Sequence, residues 1–463
     1  MYYINFSHPE YIHFMGIGGI SMSGLAEILL DRGFRISGSD MRESEITEHL
    51  RKKGAEIMIG QKAENIRPDM KAVVYTAAIH TDNQEYQAAL SAGIPMMSRA
   101  ELLGQLMKNY GEAVAVSGTH GKTTTTSMLT EILLAAAKDP TISVGGMLDS
   151  IGGNVRIGRS DCFVTEACEY TNSFLSFYPT VAAVLNVKED HLDYFKDLAD
   201  IRRSFRRFME LVPSHGSVVV NDEIEGLETL TEGLSCNVIR FGQKPDSQFH
   251  AADVIYDRNG CPSFVLQDTR QAAPVCFERI ALKVPGAHNL ADALAAAALA
   301  FVLDIPFVHI KAGLEQFQGV HRRFEHKGDV AGITVIDDYS HHPDEINAAL
   351  AAAKRCSYHE LWCVFQPHTY TRTKAFLHEF AQALSAADHV ILADIYPARE
   401  TDTLGVSSED IHRLLVKTGV DSHYLPTFEQ IESFVRKTCR PGDMLITMGA
   451  GDVVKVGEDL LKQ

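Results

Sequence analysis

The sequence predicts an α/β protein whose sheets are mostly parallel and doubly wound. Short apolar runs of strand type alternate with helical patterns along the chain, which is typical of parallel sheets that carry helices on both faces. The alternation falls into three blocks, which begin near Ile12, Ala113 and Gly319. A chain of 463 residues is also too long for one hydrophobic core, so we expect several domains.

The first block runs from about Ile12 to Met107. A strand, a glycine-rich turn, a helix and a second strand follow one another in YIHFMGIGGISMSGLAEILLDRGFRISGSD. Gly33 stands where the C-terminal glycine of that helix is expected. The run Ala72–Ile79 predicts a further buried strand.

The turn MGIGGISMSG resembles the pattern G-x-G-x-x-G, with Ser21 in the place of the third glycine. Asp40 ends the second strand, where an acidic side chain would meet a ribose hydroxyl. On these residues alone two interpretations stand. One is NAD binding by a dehydrogenase, and the other is a tight strand-to-helix turn without a ligand.

The second block opens with an apolar strand that ends at Val116, followed by the loop SGTHGKTT and a helical pattern. A helix N-terminus carries unpaired N–H groups and a partial positive charge, which suit a phosphate. Lys122 would reach the β- and γ-phosphates of a nucleotide, and the Thr123 hydroxyl would ligate magnesium. The usual pattern G-x-x-x-x-G-K-[ST] requires glycine where Val116 stands. A glycine-containing turn with an exposed lysine is therefore an alternative.

The remaining elements follow the same alternation. In the second block we predict strands in CFVTEAC, VAAVLNV and GSVVVND, and a long helix in NLADALAAAALAFVLDI. Val238–Leu282 is richer in turns and alternating residues, which predicts a smaller antiparallel sheet. The third block places strands in ITVIDDY, ELWCVFQP, HVILADIY and DMLITMGAG, with helices at Pro343–Lys354 and Thr373–Ala386.

Composition and charge restrict the function classes. Hydrophobic residues make up 45% and charged residues 22%, as in an ordinary globular enzyme. The net charge of −17 argues against nucleic acid or an anionic membrane as a partner. Because the chain has no signal-peptide pattern and no run of about 18 apolar residues, we expect a cytoplasmic protein without a membrane span. Eight scattered cysteines without a C-x-x-C pair predict reduced thiols.

Several motifs occur in one order along the chain: GIGGISMSGLAE, GTHGKTTT, EACEYTNSFL, NVKEDHLDYF, GAHNLADALAA, GVHRRFE, DDYSHHPDEI, QPHTYTRT and GAGD. In this order and spacing, from Ile12 to about Leu460, they resemble the Mur ligase family. GTHGKT is the form of phosphate loop in that family, so Val116 is no defect. The resemblance implies three domains, namely a Rossmann-like UDP-substrate domain (1–108), a P-loop-type ATPase domain with a mostly parallel sheet (109–318) and a Rossmann-like α/β amino-acid domain (319–463).

The resemblance also implies a reaction that uses ATP and Mg²⁺, with two ions expected. The lactyl carboxylate of UDP-N-acetylmuramate attacks the γ-phosphate, and the amine of L-alanine then displaces phosphate from the acyl phosphate. A recycling relative that attaches a tripeptide to the same sugar nucleotide is an open alternative. An NAD-dependent oxidoreductase and a nucleotide-dependent switch without catalysis are alternatives from other classes. Both a monomer and a homodimer are compatible with the sequence.

The resemblance implies Lys122, Glu166, His191 and Arg323 as catalytic residues. Thr123, Glu166 and His191 would ligate the metal ions, and Arg323 would meet the ATP phosphates from the third domain. On the residues alone, Glu166 is interpreted as a solvated strand-end carboxylate, His191 as a helix N-terminal histidine and Arg323 as half of a solvated arginine pair. The other implied contacts are Gly118, Thr119, His120, Gly121, Lys122, Thr123, Thr124, His288 and Asn289 for ATP, Gly16, Gly18, Gly19, Ser39 and Asp40 for the UDP-sugar, and Tyr339, His341 and Arg372 for the amino acid.

Four positions depart from the family pattern. Asp292 stands where a second asparagine usually follows Asn289, which leaves the adenine contacts open. Thr369 stands where many relatives have arginine, which leaves open how strictly L-alanine is preferred over glycine or L-serine. Cys168 replaces a frequent aspartate and is interpreted as a small buried side chain. Arg206 occupies the place of a lysine that is carbamylated in sister ligases, so we predict no modified lysine.

Overall fold

The strands form three sheets, one for each block of the sequence. The computed structural model describes residues 2–244, 247–271, 273–398 and 400–462. Within these residues, no helix combines the length and the apolarity that a membrane span requires. Helices separate most of the strands along the chain, as the alternating sequence pattern predicts.

The N-terminal sheet consists of parallel strands. Its elements are β1 (Tyr11–Met15), α1 (Ile20–Asp31), β2 (Arg35–Asp40), α2 (Glu45–Lys52), β3 (Glu56–Ile59), β4 (Ala72–Tyr75), α3 (Gln84–Ser91), β5 (Met96–Ser98) and α4 (Arg99–Met107). The strand order is β3-β2-β1-β4-β5. The strand predicted for Ala72–Ile79 ends at Tyr75, because the chain turns there and the Ile79 N–H donates to the Thr76 carbonyl at 3.0 Å.

The central sheet has ten strands. Its elements are β6 (Glu112–Ser117), α5 (Lys122–Ala135), β7 (Thr141–Leu148), β8 (Gly153–Arg156), β9 (Cys162–Ala167), β10 (Val181–Val184), α6 (Leu198–Met209), β11 (Ser217–Asn221), α7 (Leu227–Thr231), β12 (Asn237–Gly242), β13 (Phe249–Tyr256), β14 (Pro262–Asp268), β15 (Val275–Ala281), α8 (Ala287–Val302) and α9 (Phe307–Gln316). The strand order is β15-β14-β13-β12-β11-β10-β6-β9-β7-β8. β9, β6 and β10 are adjacent and parallel, so the loops that follow them meet at one edge of the sheet.

The described residues of Val238–Leu282 form no separate antiparallel sheet, so this prediction was wrong. β13, β14 and β15 do pair antiparallel with one another. However, β12 and β13 pair in parallel through Phe241 and Phe249, which joins this segment to the central sheet. Both phenylalanines are fully or almost fully buried, so one continuous sheet covers apolar surface that a break would expose.

The third sheet has six strands in the order β16-β17-β21-β18-β19-β20, and β16 is antiparallel to its neighbour. The elements are β16 (Glu325–Val330), β17 (Ile333–Asp338), α10 (Pro343–Ala353), β18 (Leu361–Phe365), α11 (Tyr370–Ala375), α12 (Leu377–Leu384), β19 (His389–Leu392), α13 (Ser408–Lys417), β20 (Asp421–Tyr424), α14 (Phe428–Thr438), β21 (Met444–Met448) and α15 (Val454–Leu461). The helix predicted for Thr373–Ala386 is two helices. The break is at Phe376, whose φ of −114° is not helical and whose ring packs against His342.

Two helices of the central domain bring their N-termini to the carboxyl edge of the sheet. α5 begins at Lys122, directly after the loop that follows β6. In α8 every residue from Ala293 to Ala300 is fully buried, and six of these eight are alanines. Short side chains allow close packing of this helix, and its start lies beside α5, where Asp292 accepts a hydrogen bond from Thr125.

Candidate active site

The predicted phosphate loop joins β6 to α5. Gly118 and Gly121 have φ values of 151° and 84°, a region that favours glycine. A β-carbon at Gly121 would lie 2.4 Å from the carboxylate of Asp292. Asn186 Oδ1 accepts the backbone N–H of His120 at 2.8 Å and fixes the loop from the side. α5 begins without a side-chain cap or an acidic residue in its first turn, which leaves its N–H groups available to a phosphate.

Lys122 is folded back over this loop. Its Nζ donates to the Thr119 carbonyl at 3.1 Å and to Glu169 Oε2 at 3.0 Å. Burial lowers the pKa of Lys122, but the neighbouring Glu169 carboxylate outweighs burial and raises this pKa above its usual range. The side chain is therefore a charged donor held within the loop, as a phosphate-binding lysine requires.

Two of the predicted metal ligands, Thr123 and Glu166, are in direct contact. Glu166 lies on β9, next to β6, and its Oε2 accepts the Thr123 hydroxyl at 3.0 Å. Its Oε1 accepts the Gly145 N–H at 2.5 Å. Hydroxyl and carboxylate oxygens are the ligands that Mg²⁺ prefers, so the chemistry of this pair fits the ion.

His191, the third predicted ligand, follows β10 and lines the same cavity as Glu166. Its backbone N–H donates to the Asp190 carboxylate at 2.7 Å, and its ring lies 4.5 Å from the ring of Tyr170. Joint metal binding by Glu166 and His191 stays a prediction. Among the described residues, the groups of three His, Cys, Asp or Glu side chains close enough to share an ion are His120, His342 and Asp344, and His359, Glu360 and Asp443.

The two arginines of the HRR motif have different environments. Arg322 donates to the buried Asp337 carboxylate at 3.1 Å and to the Gly449 carbonyl at 2.7 Å, so it stabilises the third domain internally. Arg323 instead lines the cavity that contains the phosphate loop. Its guanidinium lies 5.2 Å from the centre of the Tyr339 ring. Of the two, Arg323 is thus the one that the structure brings to the phosphate loop.

The residues predicted for the amino acid form one cluster with His368. The rings of Tyr339 and His341 lie 5.5 Å apart, and those of His341 and His368 lie 5.8 Å apart. Arg372 Nη1 is 3.3 Å from His368 Nδ1. Burial lowers the pKa of both histidines to about 4. Both rings are therefore neutral at neutral pH.

Arg372 and Asp190 form a buried ion pair between the third and central domains. Nη2 of the arginine lies 2.9 Å from Oδ1 of the aspartate, and the side chains are 10% and 8% exposed. Burial raises the pKa of Asp190, but the Arg372 guanidinium outweighs burial and lowers this pKa below its usual range. His120 Nδ1 and Glu345 Oε1 cross the same boundary at 3.1 Å. A role of Arg372 in binding the amino acid stays a prediction.

His288, Asn289 and Asp292 lie at the start of α8 and line the cavity. Asn289 Nδ2 donates to the carbonyl of Pro285 at 2.7 Å. Asp292 Oδ1 accepts the Thr125 hydroxyl at 3.1 Å. Burial raises the pKa of Asp292 to about 7. A protonated carboxyl offers both a donor and an acceptor, as an amide does, so Asp292 is chemically able to replace the usual asparagine.

The glycine loop of the N-terminal sheet is held by the end of β2. The Gly16 N–H donates to the Ser39 carbonyl at 2.9 Å, and the Gly18 N–H donates to Asp40 Oδ2 at 2.9 Å. The Ser39 hydroxyl is fully buried and donates to Glu85 Oε2 at 2.6 Å. The side chain of Ser39 therefore faces the interior of the domain, because alternate residues of a strand point to opposite faces. Only its carbonyl supports the predicted UDP-sugar loop.

One cavity of about 460 Å³ lies between the central and third domains. Most of the residues predicted to contact ATP, the metal ions or the amino acid line it. The predicted residues in its lining are Thr119, His120, Gly121, Lys122, Thr123, Thr124, Glu166, His191, His288, Asn289, Arg323 and His341. Gly118, Tyr339 and Arg372 do not line this cavity. The glycine loop Gly16–Gly19 lies in the N-terminal domain, between β1 and α1.

Three residues that shape this site have no role predicted from the sequence. Asn186 bonds both backbone groups of His120, at 2.8 and 3.0 Å. Glu169 holds Lys122, and Glu345 faces His120 across the domain boundary. All three lie in or directly beside the motifs EACEYTNSFL, NVKEDHLDYF and DDYSHHPDEI. A polar residue just after a buried strand, or in the first turn of a helix, is the signal that points to them.

Three family models match successive parts of the chain. They are the Mur ligase family, catalytic domain (11–111), the Mur ligase middle domain (116–300) and the Mur ligase, glutamate ligase domain (322–451). The UDP-N-acetylmuramate–L-alanine ligase of Agathobacter rectalis is 55% identical over 463 residues, which cover 100% of both chains. The chain belongs to the Mur ligase family.

Solved structures show the same Mur ligase fold. The UDP-N-acetylmuramate–alanine ligase of Thermotoga maritima is 29% identical, covers 98% of each chain and superposes with a TM-score of 0.79. A murein peptide ligase from Psychrobacter arcticus is 24% identical over 98% of each chain, with a TM-score of 0.70. At that identity the second likeness shows the fold alone. Within the Mur ligases, this chain is thus more similar to the alanine ligase than to the murein peptide ligase.

Proposed function

We propose that this Mur ligase joins L-alanine to the lactyl carboxylate of UDP-N-acetylmuramate, a step of peptidoglycan precursor synthesis, with release of ADP and phosphate. The observation that carries the proposal is the 55% identity, over the full length of both chains, to an enzyme named for these substrates. The murein peptide ligase, which stands for the recycling alternative, is 24% identical. The alanine-adding reaction is therefore the better supported of the two.

In this proposal each domain binds one substrate. Residues 1–108 bind the sugar nucleotide, residues 109–318 bind ATP, and residues 319–463 bind L-alanine. The cavity between the last two domains supports this division, because the phosphate loop and Arg323 both line it. A site shared between domains is complete only when they close, and closure keeps water away from a reactive acyl phosphate.

The first step activates the sugar carboxylate. A carboxylate oxygen attacks the γ-phosphorus, the bond from this phosphorus to the bridging oxygen breaks, and ADP leaves. Since both reactants are anions, the positive charges of Lys122 and Arg323 and the amides of the loop stabilise the transition state. Thr123, Glu166 and His191 would hold Mg²⁺, which would supply further neutralisation of the triphosphate.

The second step forms the amide. The amine of L-alanine attacks the acyl carbon, the bond from this carbon to the phosphate oxygen breaks, and the departing phosphate takes up the proton that the nitrogen loses. The rings of His341 and His368 are neutral because burial lowers their pKa to about 4, so they do not repel the amino group. Arg372 would bind the α-carboxylate in a bidentate manner by exchanging Asp190 for the amino acid.

ADP release by the full chain tests the proposal. The assay contains ATP, Mg²⁺ and UDP-N-acetylmuramate and compares L-alanine, glycine, L-serine and a tripeptide as acceptors. We expect release to require both the sugar nucleotide and L-alanine. Lys122→Ala removes the charge that meets the phosphates, so kcat should fall by about 100-fold or more. Lys62→Ala is the matched control, because its side chain is 61% exposed.

Each alternative has its own outcome in this assay. Release with the tripeptide alone would identify a recycling ligase. Equal release with and without UDP-N-acetylmuramate would identify a nucleotide-dependent switch. Binding of NAD without any release would favour an oxidoreductase. Full activity of Lys122→Ala would refute the phosphate-loop assignment itself.

A further inference from the structure

A cluster of histidine and acidic side chains lies at the edge of the third sheet opposite the cavity. The strands β17, β21, β18 and β19 are adjacent and parallel, and His341, which lines the cavity, follows the end of β17. His359 and Glu360 directly precede β18. Asp443 directly precedes β21, and His389 is the first residue of β19. Because parallel strands begin at one edge of a sheet, these four residues meet at the edge remote from the phosphate loop.

Three of these side chains, His359, Glu360 and Asp443, are close enough to share one metal ion. Each offers one ligand atom, and the three atoms all lie within 4.8 Å of one another. Nδ1 of His359 is 3.0 Å from Oδ1 of Asp443. The ligands of a tetrahedral zinc ion stand about 3.3 Å apart, since zinc–nitrogen and zinc–oxygen bonds are about 2.0–2.2 Å long. The separation of this pair is therefore close to the one that a zinc ion requires.

The carboxylate of Asp443 is buried and held from one side. Its Oδ2 accepts the backbone N–H of Arg440 at 2.8 Å and the indole N–H of Trp362 at 3.2 Å. Burial raises the pKa of Asp443, but these donors and His359 outweigh burial and lower this pKa below its usual range. Oδ1, which faces His359, thus belongs to a fixed and ionised carboxylate, the form that ligates metal ions.

Glu360 is oriented by the ring of His389. Nε2 of this ring is 3.2 Å from Oε2 of Glu360, and Nδ1 is 2.6 Å from Oδ2 of Asp421. The ring also stacks on Trp362, with the ring centres 3.8 Å apart. Carboxylates that ligate metal ions are typically held by such hydrogen bonds. Glu360 and Asp443 together supply two negative charges, which match a divalent cation.

We propose that His359, Glu360 and Asp443 bind a zinc ion, with water as the fourth ligand and His389 as a positioning residue. The mixed nitrogen and oxygen ligands select zinc over Mg²⁺, which prefers oxygen ligands alone. The ion links the start of β18 to the start of β21 and thereby stabilises the third domain. This site is separate from the proposed catalysis, because it lies at the opposite edge of the sheet.

Fluorescence of Trp362 tests the proposal. Trp362 is the single tryptophan of the chain, and it contacts both Asp443 and His389. The full chain is freed of metal with a chelator and titrated with Zn²⁺, with excess Mg²⁺ present throughout. We expect a saturable change in tryptophan emission that is complete at one zinc ion per chain. Mg²⁺ alone should cause no such change.

Calorimetry of variants under the same conditions identifies the ligands. His359→Ala should weaken zinc binding by about 100-fold, and His389→Gln, which changes only a residue that holds a ligand, by about 10-fold. His359 is 58% exposed, so its replacement leaves the buried packing intact. His326→Ala is the matched control, because His326 is 56% exposed and faces Asp329 in the same domain. This control should bind zinc as the wild type does.

Thermal unfolding and activity separate this site from the cavity. Zinc should raise the melting temperature of the wild type and of His326→Ala but not that of His359→Ala, because an ion that binds only the folded chain stabilises it. With Mg²⁺ and no zinc, His359→Ala should release ADP as fast as the wild type does. The zinc titrations need no substrate, so they decide the proposal even where the proposed ligase activity fails.

Three results would overturn the proposal. One is a wild-type chain whose tryptophan emission does not respond to zinc. Another is equal zinc affinity of the wild type and His359→Ala. The third is an equal loss of affinity in His359→Ala and His326→Ala, which would identify adventitious binding by exposed histidines.

Discussion

At the scale of single residues, Asp292 shows how burial changes the chemistry of a side chain. It stands where the family usually has asparagine, and burial raises its pKa to about 7. Among the described residues, its side chain is bonded by the Thr125 hydroxyl, which donates to Oδ1 at 3.1 Å. Because this bond favours the ionised form and desolvation the neutral one, the carboxyl titrates near neutral pH.

The first prediction concerns Asp292→Asn and the free energy of unfolding. Between about pH 4 and about pH 7 the folded chain holds a proton that the unfolded chain has lost, so the stability of the wild type falls as pH rises. Asparagine has no such titration. Relative to the variant, the free energy of unfolding of the wild type should fall by up to about 4 kcal/mol between about pH 4 and about pH 7. Urea denaturation of both proteins at several pH values measures this, and parallel pH profiles would contradict it.

Thr369 shows that a departure from the family pattern can have a local structural role. Its hydroxyl accepts the backbone N–H of Arg372 at 3.4 Å and caps α11. Its φ of 66° is unusual for a β-branched residue. A threonine cap supplies no positive charge for an amino-acid carboxylate. In the proposed function, the preference for L-alanine would therefore depend on the neighbouring cluster of His341, His368 and Arg372.

At the scale of elements, α4 shows why one glycine is needed inside a helix. A β-carbon at Gly104 would lie 1.9 Å from the carbonyl oxygen of Ser176 in the central domain. The helix thus packs directly on backbone, without a side chain between them. This close contact fixes the N-terminal domain against the central one.

The second prediction is that Gly104→Ala lowers the melting temperature and raises the KM for UDP-N-acetylmuramate. On an exposed helix this substitution would stabilise by about 1 kcal/mol. Here the new methyl group meets backbone, so we expect a net cost of about 1–3 kcal/mol. Gly153→Ala is the control, since the nearest atom to its β-carbon is 4.0 Å away. A Gly104→Ala protein as stable as the wild type would disprove this account of the interface.

The sequence predicted helices and strands correctly where the hydrophobic periodicity and the length of the apolar run agree. The strands β1, β9 and β18 fall within the runs that predict them, and β6 exceeds the predicted run Ala113–Val116 by one residue at each end. The prediction failed at Phe376, whose φ of −114° interrupts the helix and whose ring packs against His342. It failed again for Val238–Leu282, because the alternation of apolar and polar residues predicts strands but not which sheet these strands join.

At the scale of the whole molecule, the buried pair Arg372–Asp190 joins two domains. Removing one partner of such a pair leaves the other buried and unpaired, which costs about 3–5 kcal/mol. The pair therefore stabilises the contact between the central and third domains. Its proposed exchange for the carboxylate of L-alanine would couple substrate binding to the geometry of closure.

The third prediction is that Arg372→Ala opens the molecule in solution. We expect a larger radius of gyration by small-angle X-ray scattering and a higher KM for L-alanine, by roughly 10-fold or more. Arg413→Ala is the control, because Arg413 is 65% exposed and pairs with Glu409 on the same helix. An unchanged radius of gyration together with an unchanged KM would show that Arg372 neither joins the two domains nor binds L-alanine.

The sequence by itself determined the class of fold, the three blocks and the family, because these depend on periodicity and on short motifs that are continuous along the chain. It also identified the loop around Lys122. Only the tertiary structure decided that Arg322 is bonded inside the third domain to Asp337 and Gly449, and that the Ser39 hydroxyl faces the core. The reason is physical: orientation and burial arise from packing between segments distant in the sequence, which no local pattern encodes.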